Sequence, residues 1–163
     1  MNKRIEKWGI YAPTDGVVQL AYNSGDYGLT VIIKYPCGNR TLHGHNSKLL
    51  VKTNDIVKRN QLIAIMGSTG KGLPRPNKHS HLGLIPKGKP LNHLKVNCIN
   101  PVPFLIRNNC CYPVNTKVSN PFQEDYGSYL HEGIDFSGLE ENIISGWENG
   151  IEANTQIYYR RRD

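Results

Sequence analysis

The tightest constraint on the fold is a succession of short, β-branched apolar runs, each closed by residues that turn the chain. Residues 9–22 (GIYAPTDGVVQLAY) read as strand, turn, strand, with Asp15-Gly16 at the turn. Residues 28–35 (GLTVIIKY) form a second run, broken by Pro36-Cys37-Gly38-Asn39 as a hairpin turn would break it. A strand resumes from Thr41 to His45. Leu49-Leu50-Val51, Ile56-Val57 and Leu62 to Met66 follow, and Gly67-Ser68-Thr69-Gly70 ends the last of these. After a loop over 71–78, His79 to Ile85 is a further strand. The pattern is all-β and mainly antiparallel, and the 16 glycines and 10 prolines suit many short strands better than a helical bundle. A chain of 163 residues can bury a sound core without disulfide staples.

The composition changes after Phe104. Residues 1–106 are expected to form one domain, 107–119 a linker carrying the Cys110-Cys111 pair, and 120–163 a segment with strand signals around Leu130 to Phe136 and Ile143 to Ala153. One internal echo joins the two ends. Residues 10–18 (IYAPTDGVV) resemble 143–151 (IISGWENGI): apolar pair, spacer, acid or amide, Gly, apolar.

The net charge of +7 points to a polyanionic partner, such as an anionic cell wall, or else serves solubility alone. Lys and Arg are scattered, apart from Arg160-Arg161-Arg162, and are not interleaved with aromatics, so nucleic acid is not an expected partner. Cys37, Cys98, Cys110 and Cys111 show no CxxC spacing. They are expected to stay reduced, with a disulfide from Cys98 to Cys110 or Cys111 as the alternative. Residues 1–7 are charged and precede no apolar run, so no signal peptide is expected, and no stretch is apolar enough for a membrane span.

Five of the six histidines fall in three tight groups: His43-Gly44-His45, His79-Ser80-His81 and His131-Glu132-Gly133-Ile134-Asp135. On a regular strand, residues two or four apart share a face, which pairs His43 with His45, His79 with His81, and His131 with Asp135. Two imidazoles and a carboxylate make a common ligand set for catalytic zinc, with the fourth position open to water. Further histidines nearby can orient that water, move protons or stabilise an oxyanion. His93 belongs to no group and reads as a surface or structural residue.

These residues in their surroundings resemble the M23 family of zinc endopeptidases, of the lysostaphin and LytM type, with relatives in phages. The similar segments are IYAPTDGVV, GLTVIIKYPCG, TLHGHNSKLLVK, DIVKRNQLIAIMGSTG, HSHLGL and INPVPF, spanning about Ile10 to Phe104. The resemblance implies a small antiparallel β-structure with zinc in a groove across the sheet. It also implies that His81 binds the metal and that His45 and His79 are catalytic. His43 and Asn46 stand where that family usually has an aromatic residue and Leu.

The family's first motif, HxxxD, should precede IYAPTDGVV, yet residues 1–9 contain no His. His131 to Asp135 fits that motif at the other end of the chain, and the echo over 143–151 occupies the place that IYAPTDGVV would take after it. Three arrangements follow. In a circularly permuted fold, His131 and Asp135 complete the metal site with His81 in one chain. In a swapped assembly, the tail of one copy docks on its neighbour. Otherwise two degenerate units remain in a structural or wall-binding protein, for instance a phage tail component. The resemblance implies a zinc endopeptidase acting on bacterial peptidoglycan, with other copies of itself or phage tail proteins as further partners. Its place of action would be the cell wall, reached with a virion or through a holin.

Overall fold

The computed structural model describes residues 8–71, 78–92, 94–107, 118–120 and 134–137. They form strands β1 (Gly9–Tyr11), β2 (Gly16–Asn23), β3 (Leu29–Lys34), β4 (Arg40–Leu49), β5 (Ile56–Val57), β6 (Leu62–Met66), β7 (His79–Ile85), β8 (Val118–Asn120) and β9 (Ile134–Ser137), with short helices α1 (Leu94–Asn97) and α2 (Val102–Arg107). The main path of the sheet runs β5-β2-β3-β4-β7-β9-β8, and β6 pairs with both β1 and β4. Every one of these pairings is antiparallel, in agreement with the fold expected from the turn spacing.

The apolar runs are continuous rather than strictly alternating because the sheet is covered on both faces. Val31, Ile33 and Tyr35 belong to a main core with Ile10, Leu82 and Leu84. Ile32 and Leu42 belong to a second cluster with Tyr27, Ile85 and Cys98. Residues one apart on β3 thus serve opposite faces, as a pleated strand requires. Helix α2 closes the main core. Asn100 caps it through Oδ1, which accepts from the Val102 amide at 3.0 Å, and Pro101 follows at a position where a missing N–H costs nothing. Val102, Phe104 and Leu105 then pack inward, Phe104 against the Tyr35 ring with centroids 5.3 Å apart.

Strand β4 is the longest, at 10 residues, and changes partner part-way. Its first half pairs with β7, from Arg40↔Ile85 to Gly44↔His81. Its second half pairs with β6, from Asn46↔Met66 to Leu49↔Ala64. The break lies at His45, whose φ is +62°. Across the strand, Val31 faces His43 while Leu29 faces Asn46, so β4 carries one residue more than β3 over that stretch, a β-bulge.

On its far side β7 pairs with β9, in the register His79↔Ser137, His81↔Asp135 and Leu82↔Ile134. Ile134 is fully buried in the main core, so β9 is seated by its apolar face as well as by its backbone. Cys98 is buried and Cys37 exposed, whereas Cys110 and Cys111 lie outside the described residues. The echo over 143–151 lies outside them too.

Candidate active site

The bulge in β4 decides which histidines meet. The regular strand expected over Thr41–His45 would put His43 and His45 on one face; the structure separates them. His43 lies opposite Val31 and Leu82, both members of the main core, and is fully buried there. Its Nε2 is 2.9 Å from Thr41 Oγ1, which is in turn 2.5 Å from the Tyr35 hydroxyl. The extra residue at the bulge turns His45 over to the other face, the face of Tyr27 and His81.

There, four polar side chains from three strands converge. The His45 and His79 ring centroids are 4.7 Å apart and those of His45 and His81 are 5.9 Å apart. His81 Nδ1 lies 3.0 Å from Asp135 Oδ1, and His79 Nε2 lies 4.0 Å from Asp135 Oδ2. Tyr27 lies beside two of them, its ring centroid 5.1 Å from that of His81 and 5.9 Å from that of His45. All five side chains are largely buried, Asp135 the least, at 13% exposure.

Burial sets the charge state of His45. Loss of solvation, reinforced by His81 nearby, outweighs the bond to the Thr69 carbonyl and lowers its pKa from 6.5 to about 4. The ring is therefore neutral at neutral pH. Its Nδ1 lies 2.8 Å from that carbonyl, which only accepts, so Nδ1 carries the proton and Nε2 the lone pair. His43 is neutral as well, pushed down to about 3 by burial alone.

Of the five site residues expected from the sequence, His45, His79, His81 and Asp135 are brought together. His131 lies outside the described residues, as does His93. Among the described residues no group of three or more His, Cys, Asp or Glu side chains is arranged to hold a metal. The chemistry of the donors present nonetheless fits zinc: an imidazole and a carboxylate in contact across adjacent strands. Tyr27 and Thr69 were not singled out in the sequence. Tyr27 sits in a turn whose residues carry no chemical signature, and the Gly67 to Gly70 stretch reads as punctuation.

The model of peptidase family M23 matches residues 5–93. The chain belongs to that family. It is 36% identical over 88 residues to peptidoglycan DD-endopeptidase ShyA of Vibrio cholerae, a match covering 54% of this chain and 20% of that protein. It is 38% identical over 87 residues to murein hydrolase activator NlpD of Escherichia coli, covering 53% of this chain and 22% of that one. The chain thus spans about a fifth of the length of these M23 relatives. Among solved structures, the catalytic domain of lysostaphin from Staphylococcus simulans superposes with a TM-score of 0.52 at 27% identity, over 60% of this chain and 70% of that one. No helix among the described residues is long and apolar enough to cross a membrane, which leaves strand-built spans unaddressed.

Proposed function

We propose that this M23 protein is an endopeptidase that hydrolyses peptide bonds of bacterial peptidoglycan, with zinc held by His81, Asp135 and His131. The observation that carries the reading is the return of β9 to the edge of β7, which puts Asp135 against His81 although the two are 54 residues apart in sequence. That arrangement favours the permuted form of the site, completed within one chain. Likeness to a peptidoglycan DD-endopeptidase supports the substrate class.

When bound, zinc would polarise the substrate carbonyl and acidify the attacking water. The protein's own groups do the rest. Water adds through oxygen to the carbonyl carbon, the C–N bond breaks, and the water's proton ends on the departing amine. His45, neutral and with its lone pair on Nε2, accepts the hydrogen bond that orients the water and takes up positive charge as the water loses its proton. His79, held beside Asp135, is placed to share the proton and to steady the developing oxyanion. Tyr27, a member of the second apolar cluster, packs against His45 and His81 and supplies an apolar neighbour to both rings.

A second, non-catalytic reading is favoured by the likeness to a murein hydrolase activator. In that case the same fold would bind the wall or a partner hydrolase and cut nothing. Release of soluble fragments from purified peptidoglycan separates the two. Fragments from the wild type and none from His45→Ala support the endopeptidase. Walls that bind the protein and stay intact support the activator.

A further inference from the structure

We propose that Thr69 is the positioning residue of His45, fixing through its hydroxyl the tautomer in which His45 acts; this rests on the reading of His45 as the proton acceptor. His45 occupies a costly backbone conformation, φ +62° without being glycine, and something must hold it there. Two carbonyls do so: Tyr27 O accepts from the His45 amide at 2.6 Å, and Thr69 O accepts from Nδ1 at 2.8 Å. The second is itself held by the Thr69 side chain. Oγ1 accepts from the Leu29 amide at 2.9 Å and donates to the Asn46 carbonyl at 2.6 Å, so it bridges the start of β3 to the residue that follows His45. Each end of the clamp is thereby tied to the bulge it serves.

The backbone around it is packed to contact. Gly28 (φ +60°) and Gly70 (φ +115°) both need the left-handed freedom of glycine. A Cβ on Gly28 would collide with Thr69, and one on Gly70 with the Asp26 carbonyl oxygen. The Thr69 carbonyl therefore has no room to slide along the His45 ring while its hydroxyl bonds persist. Removing those bonds leaves the loop tied to His45 by the long bond from the Thr69 amide to the His45 carbonyl, at 3.4 Å, and weakens the hold on the acceptor that keeps the His45 proton on Nδ1.

The test uses the full chain with 15N-labelled histidine, whose long-range 1H–15N spectra at neutral pH distinguish Nδ1–H from Nε2–H, alongside turnover of purified peptidoglycan. The wild type is expected to show His45 protonated on Nδ1. Thr69→Val, which keeps the shape and loses the hydroxyl, is expected to mix the tautomers and lower kcat roughly 10- to 100-fold at unchanged KM, in the range typical of residues that orient a functional group. Thr69→Ser should restore both. An Nε2–H wild type overturns the proposal without recourse to any variant, which matters if Thr69→Val does not fold. So does a folded Thr69→Val with wild-type tautomer and kcat, or a Thr69→Ser no better than Val. A wild type that cuts no peptidoglycan defeats the endopeptidase reading alone, because the spectra still decide whether Thr69 sets the tautomer.

Discussion

Acid should weaken this fold through a residue that takes no part in the proposed chemistry. His43 is fully buried and its pKa falls from 6.5 to about 3. Its folded-state pKa lies below the unfolded value, so on acidification the unfolded chain binds the proton first. Stability is complete above the unfolded pKa and is lost as the pH drops from about 6.5 toward about 3. Over the interval from pH 7 to pH 5 that shift corresponds to a loss of about 2 kcal/mol from His43 alone. His43→Phe fills a similar volume with a group that does not titrate, and it leaves the Thr41 hydroxyl bonded to Tyr35. Urea titrations of both proteins at pH 7 and pH 5, in chelator, read the effect as a difference of differences, in which contributions common to both proteins, such as that of His45, cancel. The wild type should lose about 2 kcal/mol more than His43→Phe between the two pH values, at equal m-values. Equal losses would refute the reasoning, since a buried neutral imidazole must resist protonation.

Three further outcomes are expected. Ile134→Ala removes the side chain that seats β9 in the core and should cost about 2–5 kcal/mol in urea unfolding, whereas no loss would mean that β9 does not dock as described. Gly70→Ala places a side chain where φ is +115° and should lower stability by about 1–3 kcal/mol, read as a drop in melting temperature; an unchanged melt contradicts the packing of that loop. Mixing His81→Ala with Asp135→Ala chains should restore no peptidoglycan hydrolysis, because β9 pairs with β7 of its own chain. Recovery on mixing would instead indicate a site completed between copies.

Much of this was legible in the sequence because strand formation is written locally. The β-branched run at 29–34 and the apolar run at 62–66 became β3 and β6, and the interruption at Pro36 to Asn39 became a turn, whereas Gly16 opens β2 and the chain bends before it, over 13–15, between strands that do not pair with each other. The misplacement of His43 has a cause that is not local. A bulge that sets a histidine at positive φ leaves no mark in composition, since the conformation is imposed by the Tyr27 and Thr69 carbonyls from elsewhere in the fold. The pairing of β9 with β7 was beyond strand propensity for a related reason. Register between segments 54 residues apart is decided by burial of Ile134 beside Leu82, which no local pattern encodes. The HxxxD motif pointed to it only through family resemblance.

The most direct measurement is the zinc content of the purified chain and of Asp135→Ala, each taken from the monomer fraction of a sizing column. A site built from His81, Asp135 and His131 should hold about one zinc per wild-type chain and lose nearly all of it in the variant, with the fold intact by circular dichroism. A wild type without zinc, or a variant that keeps it, would contradict the composite site.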